Sequence, residues 1–428
     1  MLRLGGVVIL MQINSQDRAV RISELLNKVS FYCGNAGQLV DKINIKPLQP
    51  FDEAICSLLN KVSSNLLKNV NAKAYPDIVT FAFFCRKANL AMLSRSYENE
   101  KKYRLGRGIV FHVAPSNVPI NFAYTMVHGL LAGNCCIVKA SSKDFAQTRI
   151  ISEAFNRTLE EDEFRCLKQY INVVEYDRNL IEVTEYFSSI CNVRVIWGGD
   201  ETINQIRKTA LPPRAFDITF ADRYSLAVIN ATSIIEINDE AQLAKLANDF
   251  YNDTYLYDQN ACTSPRLIYW IGDKAEISKA QEVFWNAIYI NIKDRYPVDA
   301  EVSVEKYMAL CKTAIEIQGS KINPGFDNRI MRIEIKELPK DITELRAPGG
   351  CFHEYSDTNM DALVNIVDEK FQTLSYYGLD LEILQRFIIK SGLYGIDRIA
   401  PIGKTADMGL IWDGYDLIWS ESRIIKFE

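Results

Sequence analysis

The chain has 428 residues, of which 48% are hydrophobic and 24% charged, and its net charge is −5. That length implies two or three domains with an ordinary globular composition. The small negative charge, with no basic stripe, argues against nucleic acid as a partner.

The opening "MLRLGGVVILM" has an apolar run too short for a transmembrane helix, and no small-residue cleavage site comes after it. Met1 and Met11 are alternative starts. Residues 1–100 read as a mainly helical flank packed on the neighbouring domain. "RISELLNKVSFY" and "AICSLLNKVSSNLL" place apolar residues at i, i+3, i+4 spacing. From Gly106 the pattern changes. "GIVFHVA" reads as a buried strand, "PSNVP" as a loop and "INFAYTMVHGLLA" as a helix begun near Pro119 and stopped at Gly133. "CCIVKA", "YINVVEY" and "VRVIWGG" are further strands. The helices "KDFAQTRIISEAFNRTL", "LIEVTEYFSSI" and "DETINQIRKTAL" alternate with them, and "DITFA" and "YSLAVI" close the series. Apolar strands alternating with helices predict an α/β domain with a doubly wound parallel sheet, over 101–229. The Gly-x-Gly-x-x-Gly fingerprint is absent, so a cofactor would be held in another way. A second α/β domain spans 230–405. It opens with "NDEAQLAKLANDFYNDTYL", whose Leu243, Leu246, Ala247 and Phe250 share one helical face under a cap at Asn238 or Asp239. The strand "RLIYWI" comes next. Residues 406–428, with "WDGYDLIW", read as completing a sheet or a subunit contact.

The ten cysteines are scattered, with no Cys-x-x-Cys, and the three histidines lie far apart. This argues for a reducing, cytoplasmic setting and offers no metal site. Cys135 and Cys136 sit in a strand and read as core. Cys262 differs, because "YDQNACTSPR" surrounds it with polar residues in a helix-to-strand loop. From its surroundings alone it is a nucleophile, a metal ligand or a core thiol; access and thiolate character would favour the first.

Four blocks in order carry a resemblance. They are "GRGIVFHVAPSNVPINFAYTMVHGLLAGNCCIVKAS", "IWGGDETINQIRKTALPPRAFDITFADRYSLAVI", "YDQNACTSPR" and "GIDRIAPIGKTADMGLIWDGYDLI". The chain is similar to the aldehyde dehydrogenase superfamily, and within it to the acyl-CoA reductase branch that includes the fatty acid reductases of bacterial luminescence. The resemblance implies that fold, with Cys262 as the acyl-accepting nucleophile. "PSNVP" resembles the family's Pro-Trp-Asn motif, with Ser116 in the tryptophan position. Asn117 would donate to the developing oxyanion; its plain alternative is a loop cap. "VKAS" resembles Lys-Pro-Ser-Glu, placing Lys139 at the adenosine ribose. "IWGGDETI" resembles Phe-Thr-Gly-Ser, placing Gly199 and Asp200 at a helix start near the pyrophosphate. Asp200 is a departure, since its charge repels phosphate; capping the helix is the alternative. Val113, Pro115, Ser116, Ser141, Ser142 and Ile203 complete the implied cofactor contacts.

Two further departures select a reaction. Hydrolytic relatives carry a glutamate base in Glu-Leu-Gly-Gly, but "DITFADRYSLAVI" offers only Asp217 and Asp222. Water attack on an acyl-enzyme would then be slow. Ser142 stands where the family binds the ribose with glutamate, and Lys139 and Lys143 add positive charge, so NADPH is expected over NADH. The implied reaction is reduction of an acyl-CoA or other activated acyl group to an aldehyde through acyl-Cys262. The alternatives are a semialdehyde reductase, an aldehyde oxidiser, or a non-catalytic acyl-accepting scaffold. An acyl-protein synthetase is a possible partner and a homo-oligomer is expected; no membrane is. His112 reads as core, and His353 and Glu354 as candidate contacts from the second domain.

Overall fold

The computed structural model describes residues 15–40, 45–323 and 325–428. The opening apolar run and both alternative starts lie outside these residues. Two compact units emerge. One runs up to Ala221 and resumes over Tyr415–Glu428; the other is Asp222–Gly414.

The first unit is built on a six-stranded sheet. Its strands are β1 (Ser30–Cys33), β3 (Ile109–Val113), β4 (Cys135–Lys139), β5 (Ile171–Glu175), β6 (Val193–Trp197) and β7 (Phe216–Phe220), in the order β1-β5-β4-β3-β6-β7. All neighbours are parallel except β1, which runs antiparallel to β5. Every residue of β3 and β6 is buried, which is why these segments read as mainly apolar runs, interrupted by His112 and Arg194. The helix Asn121–Leu131 is likewise buried throughout. Pro119 lies just ahead of it, and Gly133, at φ +89, ends it with the left-handed turn glycine permits. A side chain on Gly133 would collide with the Leu48 carbonyl.

The helical reading of "RISELLNKVSFY" holds only to Leu26. The residues "SFYC" form β1 instead, because pairing with β5 satisfies their backbone and buries Cys33. The flank otherwise carries helices such as Glu53–Lys68, capped by Asp52. The C-terminal segment returns to this unit: β17 (Ser422–Ile424) pairs antiparallel with β2 (Arg104–Gly106).

The second unit holds β8 (Tyr224–Asn230), β9 (Pro265–Ile271), β10 (Lys321–Asn323), β11 (Met331–Glu334), β12 (Cys351–Asp357), β13 (Phe371–Tyr377) and β14 (Arg398–Pro401). Their order is β10-β11-β12-β9-β8-β13-β14. All neighbours are parallel except β10 against β11. "YSLAVI", read as the end of the first series, therefore belongs to this sheet. The reason is positional: β8 pairs with β9 and β13 on its two sides, while β7 is the edge of the first sheet. Alternate residues of β8 and β9 feed opposite cores. Leu226, Val228, Leu267 and Tyr269 enter one, and Ala227, Ile229, Ile268 and Trp270 the other. The helix Glu240–Asp253 is capped by Asp239, which accepts from the Ala241 N–H, and buries Leu246, Ala247 and Phe250 as its periodicity predicts. Among the described residues, no helix is long and apolar enough to cross a membrane.

Candidate active site

In the first unit, the order β5-β4-β3-β6-β7 places β3 at the switch point of a doubly wound sheet, and ligands of such sheets gather at the carboxyl ends flanking that point. The residues singled out from sequence lie there. Val113 ends β3, followed by Pro115, Ser116 and Asn117; Lys139 ends β4, followed by Ser141 and Ser142; Gly199, Asp200 and Ile203 come after β6. Ser116, Asn117, Ser142, Gly199 and Asp200 are exposed, while Val113 and Ile203 are buried and support the edge. The space where a Gly199 side chain would stand is open to 4 Å. Gly199 is the cap of the helix Asp200–Arg207, so Asp200 is its first residue and not its cap. Lys139 is half-buried with Nζ 5.0 Å from the Tyr176 ring centre. Burial lowers its ammonium, with Glu175 and Asp177 pulling the other way. The Ser141 hydroxyl accepts from the Lys143 N–H. An exposed edge with free backbone approach at Gly199, a cation and several hydroxyls fits a dinucleotide.

In the second unit, Cys262 lies just ahead of β9, and the amino ends of β8 and β13 flank it. Its carbonyl accepts from the Ser225 hydroxyl at 2.6 Å, and that oxygen accepts from the Thr373 N–H at 3.2 Å. The polar neighbours of Cys262 read from sequence as residues outside the core. Instead Gln259, Thr263 and Ser264 are buried. The cause is a dense set of hydrogen bonds around Gln259. Its Nε2 donates to the Pro265 and Cys351 carbonyls, at 3.0 and 3.1 Å, and its Oε1 accepts from the Gly350 and Cys351 N–H groups, at 3.0 and 3.2 Å. Asp258 and Gln259 both take left-handed backbone angles (φ 51 and 60), conformations uncommon outside glycine. They are held by the Gly349 N–H on the Asp258 carbonyl, by Tyr296 on the Asp258 carboxylate and by Arg266 on the Gln259 carbonyl. Cys262 itself is half-buried.

Thiolate character is not what this environment supplies. Burial, and then the charge of Asp413, push the Cys262 thiol up to about 12; a hydrogen bond from Gln372, the charge of Arg223 and its own backbone N–H oppose them. At neutral pH the sulfur is protonated.

The two carboxylates considered as bases are engaged elsewhere. Asp217 takes a two-pronged contact from buried Arg194, at 2.7 and 3.0 Å, with Arg207 3.6 Å away. Asp222 pairs with both terminal nitrogens of Arg346. His112 is a core residue of β3, its Nδ1 2.8 Å from the Thr125 hydroxyl. His353 and Glu354 are core residues of β12. His353 Nε2 meets the Thr313 hydroxyl at 2.9 Å. Glu354 pairs with Arg332 at 2.7 Å and accepts from Trp270 and Trp285. Burial drives His112 down to about 3 and His353 to about 4, so both stay neutral.

Two residues beside Cys262 escaped the sequence reading. Gln372, in β13, donates from Nε2 to Cys262 Sγ at 3.3 Å, and the same nitrogen donates to Asp413 Oδ1. Gln372 sits in a strand that also carries Thr373 and Ser375, so its polarity did not set it apart. Asp413 sits in "WDGYDL", taken for a structural closure. With Gly414 it forms the turn between β15 (Ile411–Trp412) and β16 (Tyr415–Asp416), at φ 46 and 75.

Both units share their architecture with solved aldehyde dehydrogenases. A methylmalonate-semialdehyde dehydrogenase from Oceanimonas doudoroffii superposes with a TM-score of 0.62 at 12% identity, over 96% of this chain and 86% of that one. An NAD-dependent benzaldehyde dehydrogenase from Corynebacterium glutamicum gives 0.59 at 12% identity, over 91% and 88%. The fold is that of the aldehyde dehydrogenases. Residues 88–418 match the family model of the acyl-CoA reductases (LuxC), and the chain belongs to that family. Its curated relatives include the long-chain acyl-protein thioester reductase of Photorhabdus luminescens, 25% identical over 69% of this chain and 58% of the relative. The Vibrio harveyi protein of the same name is 24% identical over 75% and 64%. The chain thus spans less than two thirds of the length of these relatives.

Proposed function

We propose that this protein reduces an acyl thioester to an aldehyde through an acyl group carried on Cys262. The acyl donor is a CoA ester or an acylated protein, the latter being the substrate class named for the luminescence relatives. In acyl transfer the Cys262 S–H bond breaks, its sulfur bonds the acyl carbon, and the donor leaves as a thiol carrying the proton. Asn117 and the Cys262 N–H receive the developing oxyanion. Val113, Pro115, Ser116, Lys139, Ser141, Ser142, Gly199, Asp200 and Ile203 hold a nicotinamide dinucleotide along the carboxyl edge of the first sheet. That group, when bound, supplies hydride. NADPH is the better fit, because Ser142 stands where the family's ribose-binding glutamate would be, and Lys139 and Lys143 add positive charge nearby. The ten cysteines suit a cytoplasmic setting; an acyl-protein synthetase and further copies of the chain are the partners we infer.

The observation that carries reduction over hydrolysis is the engagement of Asp217 and Asp222 in ion pairs. Neither carboxylate is free to activate water, and Asp413, the carboxylate beside Cys262, is engaged by the Gln372 amide, so the thioester should outlive its formation. The test is incubation with an acyl-CoA, with and without NADPH, quantifying aldehyde, free acid and acylated protein. Aldehyde is expected with the cofactor and a trappable acyl-protein without it. Cys262→Ala should lose both, with turnover at least ~10³-fold lower. Acid as the main product means a water-activating base exists; label remaining on Cys262→Ala places the nucleophile elsewhere.

A further inference from the structure

Sulfur chemistry at Cys262 needs negative charge on the sulfur twice: before it attacks the acyl donor, and again when the carbon–sulfur bond breaks to release product. The hydrogen bond from Gln372 Nε2 at 3.3 Å addresses that atom directly. An amide has two ends, and only its NH2 end helps a thiolate. Asp413 decides which end faces the sulfur. An ionised carboxylate only accepts, so the Gln372 nitrogen must lie against it, and the second N–H is left for Cys262. Thr373 fixes the other end, its hydroxyl 3.3 Å from Gln372 Oε1. The Asp413 carboxyl, raised by burial to about 6 against the pull of Arg223 and Gln372, is still ionised at neutral pH.

We propose that Gln372 is a catalytic residue that stabilises the Cys262 thiolate as nucleophile and as leaving group, and that Asp413 is the positioning residue that sets its amide. This rests on the reading of Cys262 as the nucleophile. The other charged groups acting on the sulfur are Arg223, which pairs with Asp397 at 2.7 Å, and Arg398. Both arginines favour the thiolate and are untouched by the substitution, so a shift on changing Gln372 reports the amide.

The test is iodoacetamide alkylation of Cys262 as a function of pH, read on its own peptide by mass spectrometry, since Cys166 and Cys311 are exposed and react too. Gln372→Met removes the donor, and Gln372→Glu replaces it with an acceptor of the same shape. Each should move the profile up by about one pH unit, about tenfold slower alkylation at a fixed neutral pH. Asp413→Asn keeps an acceptor oxygen and a residue tolerant of the left-handed turn, but deletes the charge that disfavours the thiolate. Its profile should move down. Opposite shifts support the arrangement. A Gln372→Met profile that overlays the native one, or moves down, overturns it. A carboxamide at position 413 also frees the Gln372 amide to turn, so Gln372→Met should shift the profile less in the Asp413→Asn background than in the native protein; an equal shift overturns the positioning role, and, if the Gln372 variants do not fold, an Asp413→Asn profile that overlays the native one overturns the arrangement. Alkylation needs no acyl donor, so this outcome is independent of whether Cys262 carries an acyl group.

Discussion

Replacing Gln259 by alanine should loosen the Cys262 loop. Gln259 is fully buried and makes four hydrogen bonds, two as donor and two as acceptor. Each is worth about 1 kcal/mol net, and a buried backbone group left unpaired costs roughly 1–3 kcal/mol. Water entering the vacated space recovers part of this. A loss of about 3 kcal/mol is expected, at the high end for a point substitution. The left-handed Asp258–Gln259 pair would also lose an anchor and relax. The assay is hydrogen exchange at the Gly350 and Cys351 amides, together with the urea midpoint followed by fluorescence of buried Trp270 and Trp285. A loss of about 3 kcal/mol accelerates exchange through the loop's opening by roughly 150-fold. Gln259→Glu should share much of the defect, because a carboxylate cannot donate to the Pro265 and Cys351 carbonyls. If both variants stay within about 0.5 kcal/mol of the native protein and exchange is unchanged, the loop is held by something other than this side chain.

Ser142→Glu should weaken NADPH by setting a carboxylate against the 2′-phosphate while sparing NADH; fluorescence titration measures it, and a native protein that binds NADH as well as NADPH refutes the reasoning. Glu421 is fully buried and neither carboxylate oxygen has a hydrogen-bond partner, so burial raises its carboxyl well above the ordinary 4.5. The folded state then holds this proton to higher pH than the unfolded chain, and the stability it contributes is lost as pH rises through the folded value. Asp253, raised to about 6, produces the same slope only at lower pH. Above about pH 6 the native urea midpoint should therefore fall as pH rises and that of Glu421→Gln should stay flatter; equal slopes count against a protonated Glu421.

Periodicity was a sound guide where one force dominated. Strands buried on both faces, such as Ile109–Val113, announce themselves, and so does the Glu240–Asp253 helix with its Asp239 cap. It failed where distant pairing decided. "SFYC" is a strand only because β5 lies beside it, and "YSLAVI" joins the second sheet because β9 and β13 do. At the candidate site, Cys262 was legible from its neighbours, but its environment was not. Polar residues around a thiol suggested a place outside the core, whereas Gln259, Thr263 and Ser264 are buried, with Gln259 as the internal strut. Gln372 and Asp413 lie 110 and 151 positions beyond Cys262 in the chain. Spacing alone does not join them to it.

The first unit is assembled from two stretches of chain, with all of Asp222–Gly414 made between them. Its last pieces, the helix Leu417–Glu421 and strand β17, pair with residues far earlier in the chain, as Asn134 does with Glu421 across 287 positions and Arg104 with Ser422 across 318. During synthesis the strand β2, whose sheet consists of itself and β17, and the space that receives Glu421 therefore stand open until the whole second unit has left the ribosome. Such long-range closure is slow and leaves apolar surface waiting. A chain shortened before Leu417 would keep the Cys262 loop complete in sequence yet leave the nucleotide-type unit permanently unfinished.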